Sequence, residues 1–374
     1  MSDKTGGRTM KLPYLTAIPL TILAPLLLAA PAVAQTSLAP PAASTPAKSK
    51  PPPAAKKKEV RPAPKPSPSP SPPPAAAVTP APQTNANADV VFGAFERGQY
   101  KTAFNLATER AKAGDSKAMT MLGELYSNGL GTKRDDAKAV EWYKRAADAG
   151  DREAMFALAM MRFAGRGGPK DAGEAVKLFA SAAKLGEPNA AYNLAALYLD
   201  EQTLPPDVNR AVELLRQAAD AGLPQAQYEL AKFYKQGRGV AQDLNEGLRL
   251  LQTASSAGNV DAEVEYAIVL FNGRYNGKEE DKDNYIKIPK DKPAAVALLR
   301  KAAQQNNQIA QSRLAWLLFY GDGTPVDKVE GFKWHLIARS SGKSEPELDR
   351  LFSELSPDDQ AKAEAEAKKW LGIE

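Results

Sequence analysis

Residues 116–150 read SKAMTMLGELYSNGLGTKRDDAKAVEWYKRAADAG. Ala118, Leu122, Leu125 and Tyr126 fall at helical spacing, and so do Ala139, Val140, Tyr143, Ala146 and Ala147. Between the two runs stand Gly129-Leu130-Gly131 and Asp135, and Gly150 closes the stretch. This pattern predicts a helix, a glycine-hinged turn and a second helix. Neither helix can bury its apolar stripe alone, so the hairpin requires neighbours.

The neighbours are written in the same register. The closing glycine returns at Gly114, Gly150, Gly186, Gly222 and Gly258, each 36 residues after the last, then as Asn306 after 48 and Gly342 after 36. The alanine that opens the first helix follows suit at Ala118, Ala154, Ala190, Ala226, Ala262 and Ala310. A fixed period with one 12-residue insertion predicts helical hairpins stacked into a solenoid.

The repeated pattern resembles the Sel1-like repeat, a longer relative of the tetratricopeptide repeat. Leu122-Gly123, Tyr126, Gly129, Gly131, Trp142-Tyr143 and Ala146-Ala147 carry it most clearly, and Gly237-x-Gly239-Val240 and Gly321-x-Gly323 repeat the turn. The resemblance spans residues 89–342 and implies an all-α, right-handed α/α solenoid of TPR-like hairpins. The units are 89–114, 116–150, 151–186, 187–222, 223–258, 259–306 and 307–342, followed by a C-terminal capping helix segment over 343–374. The first unit lacks the Gly-x-Gly turn and is joined at Gly98, as expected of a terminal repeat.

Local chemistry supports the hairpins. Each closing Gly falls where a left-handed helix cap is needed, and Asn306 is the next best residue there. Pro188 and Pro224 sit early in the next helix, where a missing N–H costs little. An Asp precedes each second helix at 135, 171, 207, 243, 291 and 327. Asp171-x-x-Glu174, Asp243-x-x-Glu246 and Asp327-x-x-Glu330 have the spacing of capping boxes. The third unit replaces Gly-x-Gly by Asp200-Glu201-Gln202 and Leu204-Pro205-Pro206, a stiffer turn. The insertion, within Gly273–Pro293, reads as a loop projecting from one rim, either a partner contact or a tolerated excursion.

The N-terminal part differs in kind. Lys4, Arg8 and Lys11, the apolar Leu12–Ala30 and Ala32-Val33-Ala34 have the form of a secretory signal over 1–34, cut before Gln35. Met10-Lys11 is an equally good start. An uncleaved anchor is the alternative, but Pro13, Pro19, Pro25 and Pro31 make a poor membrane helix. After cleavage no transmembrane helix is expected, and the product is periplasmic or secreted. Residues 35–88 hold sixteen prolines, too many for a packed core, and are expected to form a disordered, extended linker. The basic stretch 48–65, with Lys56-Lys57-Lys58 and Arg61, is either a solvated spacer or a grip on cell-wall polymer or an anionic membrane surface.

Charge and composition narrow the function. The net +5 is misleading, because 1–34 carries +2 and 35–88 carries +6, which leaves the repeats near −3. A mildly acidic array is a poor nucleic-acid binder. The absence of cysteine excludes a lipid anchor on Cys and any disulfide. His335 is the single histidine and occupies, with Trp334, the Trp-Tyr place of the second helix, so it reads as a packed ring. The Gly-x-Gly turns follow helices and recur in register, unlike a phosphate cradle. One Asp per unit cannot converge on an ion. No cofactor, metal or catalytic residue is expected, and the cysteines of an enzyme-linked branch of the family are missing.

What remains is a surface. Counting from the core Leu of each first helix, the register places Phe156, Tyr192 and Tyr228 two residues before it. Met160, Ile268 and Trp316 lie two after, and Phe163, Phe271 and Phe319 three further on. These nine form a candidate partner-binding groove, with inter-repeat packing the competing explanation, above all for the first three. The resemblance implies a non-enzymatic adaptor of the bacterial envelope that binds another protein, with sensor-kinase regulation and polysaccharide secretion both eligible. A cell-wall or polysaccharide-binding module led by the basic arm is the alternative, and a hydrolase a third class.

Overall fold

The computed structural model describes residues 86–373, except 201, 277–283 and 344. The expected signal, and all but the last residues of the expected linker, lie outside the described residues. Among the described residues seven helical hairpins follow one another and an eighth closes the array. They are α1 (Ala86–Glu96) with α2 (Tyr100–Lys112), α3 (Ser116–Asn128) with α4 (Asp136–Asp148), and α5 (Arg152–Ala164) with α6 (Ala172–Lys184). Next come α7 (Pro188–Leu199) with α8 (Val208–Asp220), and α9 (Pro224–Gln236) with α10 (Leu244–Ser256). After α11 (Val260–Asn272), the strands β1 (Arg274–Tyr275) and β2 (Ile286–Lys287) precede α12 (Lys292–Gln304). The array finishes with α13 (Gln308–Tyr320), α14 (Lys328–Ser340), α15 (Pro346–Ser353) and α16 (Pro357–Leu371). From α2 to α14 each helix packs on the one before and the one after, which makes an all-α repeat solenoid.

The joints between hairpins explain the glycine period. Gly150 has φ 87°, and Asn306 takes the same left-handed conformation at φ 62°. The Gly150 N–H donates to Ala147 O at 2.9 Å and the Asp151 N–H to Ala146 O at 3.0 Å, the paired bonds of a Schellman motif. Asp151 also starts the next helix, its side chain accepting from the Ala154 N–H at 2.9 Å. One residue thus ends α4 and caps α5. Asp115, Asn259 and Asn307 do the same double duty, Glu187 caps with its longer side chain, and Leu223, which cannot, is followed by Pro224.

Within each hairpin the second helix is capped by the recurring Asp. Asp135, Asp171, Asp207, Asp243, Asp291 and Asp327 all accept a backbone N–H of the first turn. The reciprocal half of the expected capping boxes is not made. The Asp171, Asp243 and Asp327 N–H groups instead donate to Arg162 O, Tyr234 O and Leu318 O of the preceding helix. That frees Glu174, Glu246 and Glu330 for Arg162, Arg249 and Arg300.

The second glycine of each turn is a matter of space. A Cβ added at Gly167 would lie 2.3 Å from Asp136 O, and one at Gly131 would lie 2.3 Å from Tyr100 O. The turn is laid directly on the start of the previous repeat's second helix. The residue between the glycines exploits this contact. Arg166 reaches Asp136 (2.8 Å) and Ser127 O (3.1 Å). The register-equivalent pair further on is Lys292 with Asp322, at 2.6 Å, the same bridge with its charges exchanged.

The insertion departs from a free loop. Its base is a two-stranded antiparallel ribbon pairing Arg274 with Lys287 and Tyr275 with Ile286, while its tip, 277–283, lies outside the described residues. Tyr275 is buried against the α10 face opened by Gly247, whose added Cβ would stand 2.9 Å from the Tyr275 hydroxyl. At the end of the array, α15 and α16 pack on α14. Trp370 meets Trp334 edge-on at 5.2 Å, and Phe352 meets Phe332 at 4.9 Å.

Gly150→Asn is expected to cost well under 1 kcal/mol and Gly150→Ala about 1 kcal/mol. Gly167→Ala, which adds a backbone collision, should cost about 3 kcal/mol in urea unfolding. The charge-exchanged bridge predicts that Asp136→Lys is destabilising and that adding Arg166→Asp restores most of the loss. Hydrogen bonds from Arg134 and Arg166 hold the Asp136 carboxyl down at about 2, against a smaller effect of burial. Its stabilisation is therefore present above the ordinary carboxylate pKa and lost as pH falls toward 2. The stability gap between wild type and Asp136→Asn should close over that interval.

Candidate functional site

The nine sequence-predicted surface residues separate into three settings. Phe156, Met160, Tyr192 and Tyr228 are half-buried and lie against the central core. Phe156 is 6.0 Å from Phe179 of its own hairpin, and Lys232 lies over the Tyr228 ring. Burial, with Glu229 and Asp261 nearby, pushes the Tyr192 hydroxyl up to about 12, and burial with Glu265 raises Tyr228 further. Phe163 and Phe319 sit at hairpin turns under Lys170 and Lys328. Ile268, Phe271 and Trp316 are the three that come together.

They line a cavity of about 130 Å³ between the first helices α11 and α13, with Ala267, Leu299, Ile309 and Leu317. Its polar rim is Ser312, Arg313, Lys343 and Glu345. Trp316 and Phe271 are each 8% exposed, so they are walls of the site and not handles on its surface. The accessible apolar groups are Ile309 (38%) and Tyr320 (42%), the latter stacked on Trp316 with ring planes 6° apart. A shallower depression of about 370 Å³ beside α12 includes Arg300 and Lys301, but these cations are already paired with Glu330 and Glu263.

Ile309, Arg313, Lys343 and Glu345 were not among the predicted residues. A signal for Ile309 is present in the register: its counterparts are Lys117, Glu153, Asn189, Gln225 and Asp261, all polar. Tyr320 likewise stands where Asn128, Asp200, Gln236 and Asn272 occur, and the exposed Val326 where Arg134, Lys170, Gln242 and Lys290 occur. The last full repeat is apolar at three positions where the others are mostly polar.

Chemistry has little foothold. His335 is fully buried, with Nε2 2.8 Å from Asp349 Oδ1, which also accepts from Arg339 at 2.8 Å. Burial opposes ionisation of Asp349, but these two hydrogen bonds outweigh it and hold its carboxyl below the usual range. Glu263, fully buried, is neutralised by Lys301 and accepts from Gln305. Among the described residues no cluster of His and carboxylates could hold a metal ion, and no helix is long and apolar enough to cross a membrane.

Hairpins joined through shared caps define an α-helical repeat solenoid. The Sel1 repeat profile matches residues 116–151, 152–187, 188–223, 224–259, 286–307 and 308–343, and the chain belongs to the Sel1 repeat family. The broken fifth match begins where the ribbon of the insertion returns to the repeat. The structure is similar to that of a Sel1 repeat protein from Oxalobacter formigenes (26% identity, TM-score 0.60), over 68% of this chain and 99% of that one. It is also similar to c5321, a protective antigen present in uropathogenic Escherichia coli strains (23% identity, TM-score 0.50). That match covers 73% of this chain and 64% of the antigen, and it concerns the fold alone. No curated protein sequence matches the chain. Sel1 repeats point to a protein–protein interaction scaffold.

Trp316→Ala should lower stability by about 3–5 kcal/mol, because it empties a core position. Ile309→Asp should change it by no more than about 0.5 kcal/mol, because the register tolerates charge there. Urea unfolding of both variants checks the distinction between wall and surface.

Proposed function

We propose that the chain is a non-enzymatic adaptor of the bacterial envelope, exported by residues 1–34, tethered by residues 35–88, and engaging a protein partner at the α11–α13 cleft. The carrying observation is the concentration of exposed apolar side chains at the C-terminal end. Of the large ones among the described residues, Ile309, Tyr320, Val326, Trp370, Leu371 and Ile373 lie beyond residue 308, against Val90 and Leu185 before it. Apolar groups at positions that earlier repeats keep mostly polar, Ala164 and Pro206 being the exceptions, fit a surface covered part of the time. The cell-wall reading relies on the basic arm alone. Regulation of a sensor kinase and a part in polysaccharide secretion are both compatible with an adaptor of this kind.

A photo-crosslinking aromatic residue at Tyr320, in intact cells, should give a discrete protein adduct that is missing when the same group replaces Leu185. Removing residues 35–88 should leave that adduct in place; its loss, with release of the protein from the wall, would favour the arm-led module. Export is checked by N-terminal sequencing of the mature protein, expected to begin at Gln35. A chain that keeps its N-terminus and stays in the cytoplasm would overturn the envelope assignment.

A further inference from the structure

The cleft between α11 and α13 contains a charge that the surrounding packing leaves over. Arg313 points from α13 into the cleft rim, and its Nε is buried with no hydrogen-bond partner among the described residues. No described carboxylate stands within ion-pair distance of it. Glu345 is near enough to act through space, yet its Oε1 already accepts from the Ser312 hydroxyl at 2.9 Å. Burial pulls the Arg313 pKa below the usual arginine value, and Glu345 offsets only part of this. Lys343, exposed on the same rim, forms no ion pair among the described residues either. Two cations therefore face one engaged carboxylate. A half-buried guanidinium whose Nε is shut away from water without a partner is unfavourable unless something supplies its counter-charge.

Next to this charge is a greasy hole of limited size. An apolar cavity of about 150 Å³ admits a single benzene-sized group, and the one here is about 130 Å³. It takes one large apolar side chain and no acyl tail. Its wall residue Trp316 lies one helical turn from Arg313, about 5 Å along the axis. A ligand must therefore present an apolar side chain and a carboxylate within a single residue's span. In an extended segment, adjacent side chains point to opposite faces. An internal Asp or Glu therefore cannot aim its carboxylate at Arg313 while its immediate neighbour fills the hole. The next residue on the same face stands about 7 Å along the chain, further than the single turn that separates Trp316 from Arg313. A chain-terminal residue carries both groups on one Cα.

We propose that this cleft captures the free carboxy-terminus of a partner polypeptide ending in a large apolar residue. The side chain enters the cavity against Trp316 and Phe271, and the terminal carboxylate pairs with Arg313, with Lys343 beside it. Ile309 and Tyr320 flank the entering chain. This assignment rests on the adaptor function proposed above and names the chemistry its partner must carry.

The test uses the full chain and fluorescein-labelled Gly/Ser octapeptides ending in Leu or Phe, read by anisotropy. Free-acid peptides should bind, and their C-terminal amides and the Ser-terminated versions should bind at least tenfold more weakly. Glu345→Gln should tighten the free acid about threefold by removing a like charge. Arg313→Leu should abolish the difference between acid and amide while its melting temperature holds or rises, because a partly desolvated, unpaired charge has been removed. That outcome separates lost recognition from lost folding. Equal binding of acid and amide, or Arg313→Leu binding the acid as tightly as wild type, would overturn the proposal. So would 4-methylpentanoate displacing the peptide at equal molar potency, which would make the cleft a small-acid site. If no peptide binds while the Tyr320 adduct persists, terminal capture fails and the adaptor function stands.

Discussion

The residue that follows the closing Gly or Asn is required twice at most joints, Leu223 and Lys343 excepted, and most of the architecture descends from that double demand. In Asp151 the N–H is consumed by the helix just finished and the side-chain oxygen by the helix about to begin. A connection that satisfies both ends in one residue leaves no slack between hairpins. Consecutive second and first helices are therefore held in contact, and small residues are needed where they approach. The fully buried Ala146, Ala182, Ala218, Ala254, Ala302 and Ala338 supply them. A single cap of this kind is worth about 1 kcal/mol, but its main effect is geometric. It fixes the direction in which every following repeat leaves, and so brings α11 and α13 side by side with a gap between them.

The repeat architecture was legible in the sequence because its signals are local. The spacing of the closing glycines, the six helix-capping Asp residues and the single 12-residue step can all be read without knowing what touches what. The features that escaped depend on distant partners. Glu174, Glu246 and Glu330 have the spacing of a capping box, but the donor each would take is claimed by a carbonyl of the preceding helix. Tyr275 looks like part of a solvated excursion until Gly247, in the hairpin before it, is seen to leave room for its ring. The candidate cleft was half visible. Ile268, Phe271 and Trp316 could be picked out by register, whereas the significance of Arg313 is that its Nε has no hydrogen-bond partner among the described residues, and an unmade bond leaves no trace in a string of letters.

The C-terminal hairpin closes the array incompletely. α16 covers Trp334 with Trp370 and buries Ala363 and Ala367, so the end of the core is shielded from water. It does not extend over Ile309, Tyr320 or Val326, which remain open. In a linear array each repeat is stabilised by its neighbours, and a terminal unit has fewer of them. An apolar surface in this place is thus available to a partner without any rearrangement of the solenoid.

The exchanged polarity of the Asp136–Arg166 and Lys292–Asp322 bridges bears on how such a chain avoids misassembly. Tandem hairpins of nearly identical length invite a nascent unit to dock on the wrong predecessor, or on a sister molecule. Bringing the start of α4 against the turn that carries Asp322 would set two carboxylates together, and the start of α12 against the turn that carries Arg166 would set two cations together. Each bridge therefore works as a key cut for a single lock, keeping early and late hairpins from trading places while they are still searching for their neighbours.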